Sequence, residues 1–259
     1  MAEAGKAAEP AKAATSMRSL ERAIDVLEVL DASHHALRLT EIARRAGLAV
    51  ATTQRILGVL EARGRVERDA NGYRPGVGLI FGAHAYLTSS PLLTAARPVL
   101  QDLASATGLT ASLFKRLGWS RVVLARVAGD SPLRYELPIG ERLPLHLGAG
   151  KALAAHMDPA ELDEFLAQLD DHTLADGTTL DRDDFLAELK LIRERGYSQA
   201  RGEREPGMAS VAAPVVDADG TATAAVQVTG AQADIPTERI PELGLELQRA
   251  ALAIARRAY

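Results

Sequence analysis

The chain has 259 residues, 47% of them hydrophobic and 25% charged, with a formal net charge of −4. That length and balance suit a globular protein of two domains and argue against a fibrous or wholly disordered chain. Cysteine is absent, which excludes disulfides, thiolate zinc sites and cysteine nucleophiles together, and no apolar run approaches the roughly 18 residues that a membrane span requires.

Residues 1–15 (MAEAGKAAEPAKAAT) are Ala-rich and lack large apolar side chains. They predict a disordered tail, with a transient helix as the alternative. The N-terminus has no apolar signal-peptide core, so a cytoplasmic location is expected.

Residues 16–76 read as a first domain. Ser19 is positioned to cap a helix to about Leu30, because Leu20, Ala23, Ile24 and Leu27 recur at helical spacing. His34 and His35 are adjacent in the following connection but have no further ligand at useful spacing, and read as solvated. From Thr40 to Gly64 the pattern is two short helices around a turn. Thr40 is placed to cap the first, Glu41 sits where the helix dipole favours an anion, and Gly47 can end it in the left-handed conformation. The second starts near Ala51, with Ile56, Leu57 and Leu60 as its stripe and Thr52, Thr53, Gln54 and Arg55 in its first turns.

In a helix-turn-helix the second helix enters the DNA major groove, with its N-terminal residues at the base edges. Thr, Gln and Arg carry the donors and acceptors needed there. A helix pair in any all-α core has the same outline. The residues after Gly64 favour DNA: Arg65–Arg68 and Gly72–Arg74 flank Asp69-Ala70-Asn71 as a hairpin with Asn-Gly at its turn. This would be a wing, with Arg65, Arg68 and Arg74 near phosphates. Residues 16–75 hold ten arginines against eight carboxylates, a mild positive surplus in a negative chain.

Residues 77–93 form an expected linker, helical from Val77 to Leu87. With apolar residues nearly all round, and Gly78 and Gly82 four apart, this helix needs a cover. A dimer partner or the chain's own second domain would serve.

Residues 94–259 mix helices and strands. An amphipathic helix from Thr94 ends at Gly108. Leu109–Phe114 and Arg121–Val127 alternate as strands, and Tyr135–Ile139 is a possible further one. Helices are expected from Gly148, from Ala160 to Leu169 and from Asp181 to Arg195, the last capped by Asp181 and stopped by Gly196. Met208–Val216 and Thr221–Val228 form the clearest hairpin. Its second strand puts Ala222, Ala224, Val226 and Val228 on one face, and Thr221, Thr223, Ala225, Gln227 and Thr229 on the other. The polar face could meet water or line a ligand cavity. Thr237–Tyr259 is a closing helix. An all-α head followed by an α+β domain is the implied architecture.

Searches for enzyme chemistry fail. Gly148-Ala-Gly150-Lys151 lacks the remaining glycine and the Ser or Thr of a phosphate loop. No Gly-x-Ser-x-Gly elbow occurs, and the six histidines have no metal spacing. No enzyme activity, metal or cofactor is expected.

Three segments together resemble the IclR-type family of transcriptional regulators: SLERAIDVLEVL with LTEIARRAGLAVATTQRILGVLEARGRVER, LPLHLGAGKALAA at 143–155, and GYSQARGEREPGMASVAAPVVDADGTATAAVQVTG at 196–230. The resemblance implies an α+β protein of two domains: an N-terminal winged helix-turn-helix and a C-terminal GAF-like effector domain with a curved antiparallel sheet and flanking helices. It further implies a homodimer or homotetramer that binds a palindromic double-stranded DNA operator, acts as a repressor and senses a small organic metabolite, for which a carboxylate is one class. By position, Arg44, Thr52, Thr53, Gln54, Arg55, Arg65 and Arg74 would contact DNA. Arg55 and Gln54 would read bases, and Arg44, Arg65 and Arg74 would hold phosphates. Leu133, Arg134, Tyr135, Gly148, Ala149, Ala200, Ser210, Gln227 and Thr229 would line the effector pocket, where the Gly148–Ala149 helix start offers backbone N–H groups to a carboxylate. Arg134 or Arg201 would pair with such a ligand, unless Arg201, Glu203, Arg204 and Glu205 are simply a solvated loop. Ala200 and Ser210 stand where binders of small keto acids carry an acid and a cysteine, and Gln227 is bulkier than the usual serine, which argues against an effector as small as glyoxylate or pyruvate. Val50-Ala51 replaces a commoner polar pair in the recognition helix. A metabolite sensor acting through a protein partner is the alternative function.

Overall fold

The computed structural model describes residues 9–130, 137–169, 174–175 and 177–259, with side chains from residue 17 onward. It divides into two compact units, Met1–Tyr86 and Leu87–Tyr259.

The first unit is built from helices α1 (Glu9–Asp31), α2 (Leu39–Arg45) and α3 (Val50–Ala62) and the ribbon β1 (Val66–Asp69) and β2 (Gly72–Pro75). Val26, Leu30, Leu37, Ile42, Leu57, Val66 and Tyr73 form its core. α1 begins well before Ser19, so the disordered tail expected at 1–15 is corrected for residues 9–15. The Ala-rich composition there favours helix, and Ala has the highest helix propensity. Thr40 does not cap α2. Leu37 exchanges backbone hydrogen bonds with Tyr73 of the ribbon (2.9 and 2.8 Å), which brings the chain in extended, and the helix starts one residue before Thr40, with Arg38 at the cap position.

The wing turn also differs from expectation. Asp69 pairs with Gly72, so Ala70 and Asn71 form the turn. Asp69 Oδ1 accepts from the Asn71 and Gly72 amides (2.7 and 3.2 Å). Gly72 is required for a different reason: a Cβ there would sit 2.3 Å from the Leu37 carbonyl oxygen.

Helix α4 (Leu79–Ser89) comes next, and none of its residues is buried. Phe81 is 74% exposed and Ile80 63%.

The second unit contains α5 (Pro91–Thr107), β3 (Thr110–Leu117), β4 (Ser120–Val127), β5 (Arg142–Pro144), α6 (Ala149–Ala154), α7 (Pro159–Ala167), α8 (Arg182–Arg195), β6 (Ser198–Arg201), β7 (Met208–Val216), β8 (Ala222–Ala231) and α9 (Ile240–Ala258). Its six strands form one antiparallel sheet in the order β5-β4-β3-β8-β7-β6. Ser90 caps α5, Asp181 caps α8, and Gly108 and Gly196 end those helices in the left-handed conformation. The strand expected at 135–139 is corrected. Residues 135 and 136 lie outside those described, 137–139 form no strand, and the edge position belongs to β5.

Period-two alternation sorts the sheet residues to two faces. Leu113, Val211, Ala213, Val226 and Val228 point to α5 and α9, whose stripe of Leu243, Leu247, Ala250, Ala251 and Ile254 closes that core. Phe114, Val123, Ala212 and Ala225 point to α6, α7 and α8, with Phe165, Phe185 and Leu189. Each fully buried side chain of that size contributes about 1.5–3 kcal/mol. Ala222 joins this second cluster, not the first as alternation predicts. A register shift between Val215 and Val216 explains the change: Val215 pairs with Ala224 and Val216 with Ala222, so the parity breaks there.

Among the described residues no helix is long and apolar enough to cross a membrane.

Candidate DNA-reading face and effector cavity

In the first unit, α3 turns Leu57 into the core and leaves Gln54 and Arg55 exposed, with Thr52 half-buried. Thr53 is 0% exposed, and its hydroxyl donates to the Ala49 carbonyl at 3.2 Å. It therefore packs inward, and the expectation that it meets a base is corrected: one residue in each turn of an amphipathic helix must face the core. Arg65 donates to the Gly78 carbonyl at 2.5 Å and so ties the ribbon to the start of the linker. Arg74 pairs with Glu67 (3.3 Å) and Asp69 (3.1 Å) across the wing. Arg44 is largely exposed and pairs with Glu41 at 2.8 Å. Glu41, held by Arg44 and Arg45, has its carboxyl lowered to about 2.

In the second unit, the sheet face that packs on α6–α8 changes character along its strands. Beyond Phe114, Ala212 and Ala225 the same face carries Ser112 and Thr110 of β3, Ser210 of β7, and Gln227 and Thr229 of β8. Ser112 stands opposite Gln227, and Thr229 lies between Thr110 and Ser210. These residues line a cavity of about 120 Å³, which Arg121, Arg126, Leu137, Leu147, Gly148, Ala200 and the 202–206 loop complete. That volume is about four waters' share of liquid, and small beside the roughly 300–1,000 Å³ of sites for drug-sized ligands.

Backbone geometry sets the cavity wall at residues 145–150. Gly148 has φ +50°, and a Cβ on Gly150 would lie 2.3 Å from the Leu145 carbonyl oxygen, so this turn folds tightly upon itself. The amides at the start of α6 are already used: Gly148 N donates to Glu203 Oε2 (2.8 Å) and Ala149 N to Gln227 Oε1 (3.1 Å). Glu203 also takes a hydrogen bond from the buried Lys151 ammonium at 2.5 Å, and Lys151 further donates to the Gln199 carbonyl at 2.7 Å. Gln227 in turn donates to the Thr229 hydroxyl at 2.5 Å. Arg121 is 4% exposed. Its Nη1 donates to the carbonyls of Pro144 (2.7 Å) and Leu147, and its guanidinium lies 5.2 Å from the centre of the Phe114 ring. Burial lowers its pKa to about 9, so it stays protonated at neutral pH.

A DNA-reading head followed by this sheet and cavity is matched segment by segment by known domains. The IclR helix-turn-helix domain matches residues 19–70, and the bacterial transcriptional regulator IclR C-terminal domain matches residues 84–256. The chain belongs to the IclR family. It is 36% identical to the HTH-type transcriptional regulator BhcR of Paracoccus denitrificans over 93% of this chain and 85% of that one. It is 30% identical to the HTH-type transcriptional repressor AllR of Escherichia coli over 92% of this chain and 88% of that one. An IclR homologue from Microbacterium hydrocarbonoxydans, solved with 4-hydroxybenzoate, superposes with a TM-score of 0.73 at 23% identity, over 93% of this chain and 98% of its own. The IclR relatives are named regulators and repressors, so this is a DNA-binding transcriptional regulator of a non-enzymatic family.

Of the pocket candidates drawn from the IclR resemblance, the structure brings Gly148, Ala200, Ser210, Gln227 and Thr229 together at the cavity. Ala149 is buried just behind them, its amide on Gln227. Leu133, Arg134 and Tyr135 lie outside the described residues. Arg201 is not on the cavity wall and donates instead to the Ile235 carbonyl at 2.7 Å. The 201–205 segment is not a uniformly solvated loop, because Glu203 reaches inward to Lys151. Sequence reasoning missed Thr110, Ser112, Arg121 and Arg126. Alternation carries a signal for two of them: Ser112 shares parity with the apolar Phe114, and Arg121 with Val123, which marks both as inward-facing polar residues.

Proposed function

We propose that this IclR-family regulator is a repressor that binds a palindromic operator as a homodimer or homotetramer and responds to a small organic metabolite held in the sheet cavity. The observation that carries the reading is the change of one sheet face from apolar to polar where it becomes cavity wall. A face built only for packing would stay apolar, whereas a ligand site needs a few placed polar groups in a concave setting. The 4-hydroxybenzoate bound by the Microbacterium homologue supports a small organic ligand for this fold, and the AllR name supports repression.

On the DNA side, Gln54 and Arg55 are placed for base edges, with Thr52 beside them. Arg44, Arg65 and Arg74 serve phosphates, although Arg65 and Arg74 first hold the wing in shape. The exposed apolar surface of α4, with Ile80, Phe81 and Tyr86, supports a second copy as its cover. The regulator works in the cytoplasm, where its DNA is. An effector changes DNA affinity only by binding two arrangements of the protein unequally.

Selection of bound duplexes from a random pool tests this reading. Enrichment of two inverted half-sites is the expected result. Enrichment of a single half-site contradicts the dimer, and no enrichment contradicts DNA recognition and returns the protein-partner reading.

A further inference from the structure

We propose that Arg121 is the anion anchor of the effector cavity, and that the effector is a compact carboxylate carrying a second oxygen for the Ser210–Gln227 side. This rests on the reading of the cavity as the effector site. Arg121 is buried at the cavity wall, yet its Nε has no hydrogen-bond partner, and among the described residues no carboxylate forms an ion pair with it. Its Nη1 partners are two neutral carbonyls. A buried cation left in that state is costly, and an opposite charge relieves the cost.

The chain's own candidate for that charge is committed elsewhere. Glu203 acts on Arg121 through space, but its two oxygens are taken by Lys151 and the Gly148 amide. The same bond occupies the Gly148 N–H, and Gln227 occupies that of Ala149, so the α6 amides are not open to a ligand's acid group. Around Gly148 the polar atoms converge. The position a Cβ would take there is 3.3 Å from Arg121 Nη2, 3.5 Å from Gln227 Oε1 and 3.7 Å from Ser210 Oγ. A guanidinium binds a carboxylate through parallel N–H donors, while the Ser210 hydroxyl can donate to a hydroxyl or keto oxygen and the Gln227 oxygen, an acceptor, suits a hydroxyl. The cavity volume of about 120 Å³ sets the limit on size and corrects the expectation that the bulk of Gln227 excludes an effector as small as pyruvate.

The test is isothermal titration calorimetry of the full-length protein with pyruvate, malate, succinate and 4-hydroxybenzoate, each beside its amide. It is repeated on Arg121→Gln, Arg121→Lys and Ser210→Leu, with folding checked by circular dichroism. The expected result is that at least one acid binds and its amide does not. Arg121→Gln then weakens that acid roughly 10- to 100-fold, as loss of a hydrogen bond to a charged group does, and Arg121→Lys recovers part of the loss. If Arg121→Gln does not fold, Arg121→Lys carries the test by a weaker but measurable loss of the bidentate contact. Acid binding unchanged in both arginine variants, binding of amides alone, or binding of none of the acids overturns the proposal. Ser210→Leu separates the two levels of the reading. If it abolishes binding that the arginine variants leave intact, the cavity stands and the anchor falls; if it leaves acid binding intact, the cavity reading falls and takes the anchor with it.

Discussion

The two units carry their chemistry in opposite ways. In the head, Gln54 and Arg55 are consecutive and exposed on one helix whose other side, Thr53 and Leu57, is core. In the second unit the cavity is assembled from β3, β4, β7, β8 and the 202–206 loop, and Arg121, Ser112 and Gln227 are buried. A surface reader can change its contacts without touching the fold. A buried polar cavity cannot, because each polar group in it is also part of the packing, and leaving one unsatisfied costs stability.

That contrast predicts a graded series of effects. The largest is expected at the buried pair behind the cavity. Lys151→Met leaves Glu203 without its cation and should destabilise the second unit by about 3–5 kcal/mol, measured by denaturant unfolding. A change below ~1 kcal/mol would show that the cavity is as tolerant as a surface. Next is the head's own core: Leu57→Ala, fully buried in the structure, should cost about 2–5 kcal/mol and abolish DNA binding through unfolding of the head. In contrast, Arg55→Ala should leave the thermal midpoint unchanged and remove about 1–3 kcal/mol of base discrimination, read from affinities for selected and scrambled duplexes. Loss of stability in that variant would break the comparison from the other side.

Smaller effects sharpen it. His156 is half-buried beside Arg193, with a ring nitrogen on the Ala152 carbonyl at 3.1 Å, and burial first, then Arg193, lowers its pKa below the usual value. Its neutral form is the folded one. Stability is therefore present above the unfolded value of about 6.5 and is lost as pH falls through it toward the lowered folded value. His156→Gln should flatten that slope in pH-dependent unfolding. The smallest effect is expected at Arg74→Ala. An exposed ion pair is worth about 0–1 kcal/mol, so the wing should hold and the salt slope of DNA binding should fall by about one unit or less.

Legibility in the sequence divides along the same line. Local signals read well: the α9 stripe, the Asp181 cap and Gly196 stop of α8, and the helix-turn-helix all rest on neighbours within a few residues. Long-range effects did not. Thr40 lost its cap because Leu37 pairs with Tyr73, far along the chain. Ala222 changed face because its own strand carries an extra residue, Thr223, between the pairs Val215–Ala224 and Val216–Ala222, which altered parity. Arg121 shares parity with Val123 and so reads as inward-facing, but nothing near it in sequence shows that it sits under a cavity, and nothing near Glu203 shows that it reaches Lys151, more than fifty positions away. The family resemblance supplied part of the cavity by position, but not the arginine, which only the folded sheet brings to Gly148.

The most direct measurement is fluorescence anisotropy of the full-length protein on labelled duplex from the region flanking its own gene, at two salt concentrations, beside a scrambled duplex. The account predicts tight binding to the native duplex that weakens steeply with salt, at about −0.9 in the log–log slope for each phosphate contacted, and clearly weaker binding to the scrambled one. Equal affinity for the two duplexes, with little dependence on salt, would contradict it.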